Sequence, residues 1–338
     1  MSLELPILRI GLAGFSLEQQ EQLGQMLPAA SPNGLTWEFA RFGESDAVWI
    51  HGSRSQVLGD GMLRVASGIP SGRSVQINLA EVDRPVAFAQ PLPRHLEAEL
   101  TFDLARPESV DEVVERLENW LKPLVAQFCL ASEILEQESA LGAGVYHVSG
   151  AGGLVAVVDL RGEVGVLPSA SPLDIENAIW TPRPRDASAI PSHFVRCSLS
   201  KLMWQYAVRT TRDVLPRRYR TDVLYFRRPP RLPQRMLRDA HLLLLRELSV
   251  EPGNFADLQQ RTGLVGAQLA QALAALYLVG AITSNAKRAS QSGFRRETGP
   301  ESLLQHSSPS GLLGHESSPQ GLRPRPQDMT APAPLSLE

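Results

Sequence analysis

Short apolar runs alternate with longer crossover segments along the first 130 residues, and this alternation is the strongest constraint on the fold. The runs lie at residues 8–12, 37–42, 47–50, 75–79 and 86–89. Each has the length of a buried strand, and strands joined by such crossovers favour a parallel sheet. We therefore predict an α/β fold for this part of the chain.

Helix signals fill some of the crossovers. Ser16, with Gln19 three residues later, has the spacing of a capping box and predicts a helix over 17–27. Ser109 with Glu112 predicts a second helix, which Pro123 should bend. We expect the crossover between residues 53 and 69 to contain some helix.

The pattern changes after residue 139. Apolar runs at 145–148, 154–160 and 164–167 are joined by glycine turns and predict an antiparallel meander. Helices are expected near 173–180 and 199–210, and the proline-containing segment after them should be extended. We interpret residues 139–234 as a small α+β middle domain.

Residues 235–288 have the pattern of a compact helical domain. Helices are predicted at 236–248, 255–262 and 265–279, with Gly263 and Gly280 ending the last two, and a short strand at 281–283. Beyond 289, Ser, Pro, Gln and Gly dominate without periodicity, which is typical of disorder. The expected organisation is therefore 1–138, 139–234, 235–288 and a disordered tail over 289–338.

The first domain resembles a degenerate response-regulator receiver, a flavodoxin-like fold. Asp46 to Ile50 is similar to the third receiver strand, which ends on a phosphorylated aspartate, and here His51 follows it. Val86 to Pro91 is similar to the fifth strand and its Lys-Pro turn, with Gln90 in place of the lysine. The segments after the first strand and after Leu79 also lack the acidic pair and the hydroxyl. The resemblance implies a degenerate receiver pocket at His51 and Gln90 that does no phosphotransfer.

The helical domain resembles a winged helix. In DNA-binding members the third helix enters the major groove. Here residues 265–279 contain no Lys, Arg or His, and only Gln268 and Gln271 offer a polar head before Tyr277. The resemblance therefore implies either a protein-interaction module or a DNA binder that relies on flanking cations such as Arg261, Lys287, Arg288, Arg295 and Arg296.

Charge is unevenly distributed. Residues 1–140 contain twenty Asp or Glu against ten Arg or Lys, a balance of −10, although the whole chain carries only −3. Residues 209–238 contain ten Arg and two Asp, a balance of +8. The candidate anion-, nucleotide- or nucleic-acid-binding residues in this segment are Arg209, Arg212, Arg217, Arg218, Arg220, Arg227 and Arg228.

Three interpretations of these arginines remain open. A guanidinium group binds phosphate with two parallel hydrogen bonds, pairs with the O6/N7 edge of guanine and stacks on rings. It therefore suits nucleic acid or a nucleotide such as a cyclic dinucleotide. The same arginines could instead line an interdomain seam and pair with the acidic first domain.

Other signals exclude more than they indicate. Cys129 and Cys197 form no metal-binding or disulfide pattern, and Cys129 is expected in the core. The seven histidines show no metal spacing, and we find no nucleophile motif. We expect no enzyme activity, no cofactor, no metal and no membrane span in a cytoplasmic protein.

These patterns together predict a non-enzymatic bacterial signalling or regulatory protein. It would act through a protein partner and could be gated by a nucleotide second messenger. The alternative is a transcriptional regulator that contacts DNA through the winged helix and its flanking arginines. The sequence does not determine the partner, the ligand or the oligomeric state.

Overall fold

Five short parallel strands form the first sheet of the computed structural model, which describes residues 3–27, 31, 33–59 and 61–289. The strand order is β2-β1-β3-β7-β8. This is the order 2-1-3-4-5 of flavodoxin-like sheets. The predicted α/β class with a parallel sheet is confirmed. In chain order, the elements of this part are β1 (Ile7–Ala13), α1 (Leu17–Met26), β2 (Thr36–Ala40), β3 (Ala47–His51), β4 (Ser55–Val57), β5 (Met62–Val65), β6 (Val75–Asn78), β7 (Val86–Ala89), β8 (Leu100–Phe102) and α2 (Pro107–Glu136).

The crossover from β3 to β7 corrects two predictions. Its described residues contain a 3-10 turn at Gly52–Arg54 but no α-helix; β4, β5 and β6 form an antiparallel sheet of their own. The run at 75–79 is therefore β6 and not a fourth parallel strand. Only Ile77 of β6 is fully buried, whereas strands inside a parallel sheet are buried on both faces. The fourth parallel strand is β7, and the fifth, β8, was not predicted.

A second sheet of five antiparallel strands follows, in the order β12-β9-β10-β11-β13. The predicted meander is confirmed as β9, β10 and β11. The helix expected near 173–180 is shorter, because it ends at Glu176 and the chain then enters an edge strand. The elements are β9 (Val145–Gly150), β10 (Gly153–Asp159), β11 (Glu163–Val166), α3 (Pro172–Glu176), β12 (Ile179–Arg183), β13 (Val195–Ser198) and α4 (Leu199–Ala207).

Helix α2 joins the two sheets through one shared core. It runs for 30 residues, begins two residues before the predicted Ser109, and contains Pro123 in its interior. Its buried side chains belong to the same apolar cluster as those of both sheets and of α4. Cys129 is fully buried there, as predicted, and burial raises the pKa of its thiol to about 12.

The remaining elements form a helical part tied to the arginine segment. Its strands β14 and β15 pair antiparallel, so the predicted strand at 281–283 is held by residues 225–226. Gly263 and Gly280 are left-handed after the last two helices, as predicted, with φ of 68° and 66°. The elements are α5 (Arg218–Thr221), β14 (Tyr225–Phe226), α6 (Asp239–Val250), α7 (Phe255–Thr262), α8 (Gly266–Leu278) and β15 (Ile282–Thr283).

Helix α8 is buried on more than one side. Its leucines pack in the core of the helical part, while α4 also lies against it. The alanines at 270, 272, 274 and 275 are all buried, and small side chains allow such close approach of two helices. Trp204 and Ala207 of α4 belong to this second core.

His241 connects α6 to α4. Its ring lies 4.5 Å from the ring of Trp204, and its Nδ1 accepts the N–H of Arg238 at 3.2 Å. Burial, together with the charge of Arg238, lowers the pKa of His241 to about 4. The imidazole is therefore neutral at pH 7, since Nδ1 can accept only when it is unprotonated.

No helix in the described part of the chain is long and apolar enough to cross a membrane. The predicted disordered tail lies outside the described residues, apart from Ala289. Arg295 and Arg296 lie there too.

The neutral state of His241 predicts an acid-sensitive fold. The folded-state pKa lies below the ordinary 6.5, so the stabilisation is complete above that pH and is lost as pH falls towards 4. The free energy of unfolding should fall between pH 7 and pH 4, and we expect this fall to be about 2–3 kcal/mol smaller in His241→Gln. Gln keeps an acceptor for the Arg238 N–H. Urea unfolding at both pH values measures the effect.

His193→Gln is the matched control, because His193 is exposed. It should leave the pH dependence unchanged. A His241→Gln variant with the pH dependence of the unmodified protein would contradict the prediction.

Candidate anion-binding site

The structure divides the arginine segment into two groups. Arg209, Arg212 and Arg238, the inner arginines, point towards acidic residues of the N-terminal part of the chain. The others lie on the surface around β14, β15 and α5. The interpretation as a seam therefore fits the first group, whereas in the second group Arg220 pairs with Asp213 and Arg218 and Arg227 take part in no ion pair among the described residues.

Asp46 and Arg209 form a buried ion pair. Asp46 lies just before β3, with only 2% of its side chain exposed, and Arg209 follows the end of α4. Arg209 Nη2 donates to Asp46 Oδ1 at 2.6 Å, and the Arg9 N–H donates to Oδ2 at 3.1 Å. The pair thus fixes the end of α4 against the parallel sheet.

Glu4 holds the same stretch of chain from the N-terminal side. Its carboxylate accepts from the Tyr206 hydroxyl at 2.8 Å, the Thr210 hydroxyl at 2.8 Å and the Thr211 N–H at 3.0 Å. Arg212 lies 3.4 Å from it and also pairs with Glu136. Burial is the main cause that raises the pKa of Tyr206, which remains a hydrogen-bond donor at neutral pH.

Arg218 and Arg227 of the surface group line a cavity of about 380 Å³, which we call the arginine–tyrosine cavity. Its cations are Arg218, Arg227 and Arg288, and its rings are Tyr219 and Tyr277. The described residues that line it include no Asp or Glu. The two rings lie 4.7 Å apart, and the guanidinium of Arg218 lies 5.6 Å from the centre of the Tyr219 ring. An anion is the complementary ligand.

A second cavity of about 430 Å³ adjoins the first and shares Tyr277 and Gly280 with it. We call it the glutamate cavity. Arg161, Arg228 and Arg231 line it together with one carboxylate, that of Glu138. Gly280 separates the two groups of cations, and a Cβ there would lie 3.4 Å from Arg227 Nη1 and 3.3 Å from Arg228 Nη2.

The predicted site residues therefore lie at different places in the structure. Arg209 and Arg212 are inner arginines, Arg218 and Arg227 line the arginine–tyrosine cavity, and Arg228 lines the glutamate cavity. Of the other two, Arg217 is exposed at the start of α5. Arg220 pairs with Asp213 at 2.7 Å and lies 5.6 Å from the centre of the Phe255 ring.

The sequence did not single out Glu138, Arg161 or Tyr277 as site residues. Glu138 follows α2, Arg161 is in the turn between β10 and β11, and Tyr277 ends α8. Only the packing of α8 beside the second sheet brings them together. The one feature of the sequence that points to Tyr277 is that it is the first residue with a polar head after Gln271 in the predicted third helix.

His51 is held by two structural hydrogen bonds. Gln19 Oε1 accepts from the Ser16 N–H at 3.0 Å, so the Gln19 amide nitrogen donates to His51 Nε2, also at 3.0 Å. Nδ1–H then donates to Ser53 Oγ at 3.1 Å. Burial, with the nearby Arg54 charge, lowers the pKa of His51. Both ring nitrogens of a neutral imidazole are thus occupied.

Gln90 lies at the same edge of the sheet, one residue beyond Ala89, which pairs with His51. Its position corrects the sequence interpretation: it follows the fourth parallel strand and not the fifth. Its side chain is exposed and donates to Thr101 Oγ1 at 3.3 Å. His51 therefore hydrogen-bonds to Gln19 and Ser53, whereas Gln90 hydrogen-bonds to Thr101.

Helix α8 presents little surface for reading DNA. Gln268 and Gln271 are exposed, and they line a polar cleft of about 860 Å³ that Arg41, Glu44 and Arg238 also border. From Ala272 to Leu276 every residue is buried. The exposed face of α8 is thus short, and it faces residues of the parallel sheet across this cleft.

Comparisons with protein-family models, with curated proteins and with solved structures found no match for this chain. Among the described residues, no group of three or more His, Cys, Asp or Glu is placed to hold a metal ion. The chemistry of the two cavities is therefore the basis for a proposed function.

The buried ion pair predicts a large stability effect. Asp46→Asn leaves the Arg209 guanidinium buried without its counter-charge, so we expect the free energy of unfolding to fall by about 3 kcal/mol. Urea unfolding followed by tryptophan fluorescence measures it. Asp83→Asn is the control, because Asp83 is 71% exposed and its ion pair with Arg84 spans 3.7 Å; it should cost less than about 0.5 kcal/mol. Equal stability of the two variants would show that the buried ion pair does not stabilise the fold.

Proposed function

We propose that this protein is a non-enzymatic regulatory protein that binds a partner protein, and that a phosphate-bearing nucleotide in the arginine–tyrosine cavity controls this binding. The observation that carries the proposal is the lining of that cavity: its described residues include three arginines and two tyrosines but no carboxylate. Guanidinium groups without a carboxylate partner at a concave surface favour phosphate, and the half-buried Tyr277 adds an aromatic ring beside them.

The inner arginines strengthen this proposal by contrast. Arg209, Arg212 and Arg238 have carboxylate partners within the chain, whereas Arg218 and Arg227 take part in no ion pair among the described residues. Ion pairing within the fold therefore leaves the cations of the cavity available to an external anion.

The N-terminal part fits the role of a platform. Its strand order is that of the flavodoxin-like fold, which supports the resemblance to a receiver. His51, at the place of the receiver aspartate, uses both ring nitrogens in structural hydrogen bonds. We propose that this domain serves docking and does no phosphotransfer.

The helical part is proposed to be a winged helix that acts in protein interaction. Three helices and the paired strand β15 support this assignment. The DNA-binding alternative has less support, because α8 is buried from Ala272 to Leu276 and its exposed residues are Ala267, Gln268 and Gln271. A helix must be free to enter the major groove.

Loss of cavity arginines should abolish nucleotide binding. We expect the full chain to bind pyrophosphate and nucleoside triphosphates in isothermal titration calorimetry at low salt. Arg218→Ala combined with Arg227→Ala should weaken binding by at least about 100-fold, because each removes a charge-assisted hydrogen bond. Circular dichroism checks that the double variant remains folded.

Arg235→Ala is the matched control, since Arg235 is exposed in the same segment and lines neither cavity. It should bind like the unmodified protein. Equal affinity in the double variant, or no binding of any phosphate compound, would refute the proposed site. Steeply salt-dependent binding of mixed-sequence duplex DNA that Gln268→Ala with Gln271→Ala removes would instead favour the transcriptional regulator.

A further inference from the structure

We infer that the two adjoining cavities together bind a guanine nucleotide, with its phosphate in the arginine–tyrosine cavity and its base in the glutamate cavity. This inference rests on the proposed function and specifies its ligand. It depends on the difference in lining between the two cavities and on the residues that they share.

The cavities are neighbours, because Tyr277 and Gly280 line both. Each has the volume of a small ligand site, about 380 and about 430 Å³. Because Gly280 has no side chain, the guanidinium groups of Arg227 and Arg228 both lie close against it, and the cations of the two cavities approach each other there. A nucleotide can therefore place one end in each cavity with its sugar beside Tyr277.

The arginine–tyrosine cavity suits the phosphate end. Its cations are Arg218, Arg227 and Arg288, and the described residues of its lining include no carboxylate that would compete with a phosphate for them. The glutamate cavity suits the base, because it adds aliphatic surface from Leu160, Leu199 and Leu278 to its polar groups. A flat ring can rest on such surface while its edge makes hydrogen bonds.

The polar groups of the glutamate cavity match the edges of guanine. The Glu138 carboxylate can accept from the N1–H and the N2 amino group of the base. The guanidinium groups of Arg228 and Arg231 can donate to O6 and N7, which is the common pairing of Arg with guanine. Adenine presents an amino group in place of O6, so it would set donor against donor at the arginines and offers no N1–H to Glu138.

A panel of nucleotides tests the ligand. Calorimetry on the full chain compares GTP with ATP, and cyclic di-GMP with cyclic di-AMP, and uses pyrophosphate as the base-free probe. We expect each guanine compound that binds to do so at least about tenfold more tightly than its adenine counterpart. The linear and cyclic arms distinguish a mononucleotide from a cyclic dinucleotide.

Glu138→Ala separates recognition of the base from recognition of the phosphate. The guanine preference should fall below about threefold, while affinity for pyrophosphate stays the same or rises slightly because a negative charge has gone. Glu115→Ala is the control, since Glu115 is exposed on α2 and lines neither cavity. It should keep the full preference.

The outcomes distinguish the two proposals. Equal affinity for GTP and ATP, with binding lost in the Arg218 and Arg227 variant, would overturn the guanine inference and leave the phosphate site standing. An undiminished guanine preference in Glu138→Ala would also overturn it. Failure of pyrophosphate and of every nucleotide to bind would refute both.

Discussion

Two buried carboxylates hold the short stretch of chain that follows α4, and the placement of everything after it depends on them. Glu4 gathers a tyrosine hydroxyl, a threonine hydroxyl and a backbone N–H around one carboxylate, and Asp46 takes the guanidinium of Arg209 at 2.6 Å. Glu4 precedes β1 and Asp46 precedes β3, so both acids lie next to strands of the first sheet. Because α4 also packs on α8, the same contacts connect the parallel sheet to the helical part.

This arrangement explains why a strongly basic segment serves two purposes in one fold. An arginine near an acid of the first sheet neutralises a buried charge and stabilises the structure. An arginine without a carboxylate partner among the described residues can instead lie on the surface near β15. Arg218 and Arg227 illustrate this second case, and Arg209 the first. Arg238, at the end of the segment, belongs again to the first case because it pairs with Glu44. A nearby carboxylate, and not residue type or order along the segment, separates the two roles.

Sequence patterns predicted the elements whose signals are local. The capping box at Ser16, the turn glycine Gly263 and the meander are all present. Pairings between distant segments could not be predicted, because a run such as 75–79 has the same composition in a parallel or an antiparallel sheet. The cavities depend entirely on such long-range packing: Glu138 and Tyr277 meet only through the fold. Arginine richness indicated anion binding but could not tell which arginines are already paired.

The ladder between β14 and β15 has a consequence for where the chain can be divided. Residues 225–226 complete the edge of β15, and Leu215, Tyr219 and Leu224 fill the core beneath the three last helices. A fragment that started at residue 235, the predicted boundary, would lack these side chains and leave a strand edge open to other chains. A fragment that keeps these core side chains thus has to begin upstream of Leu215, and it carries most of the arginine segment with it.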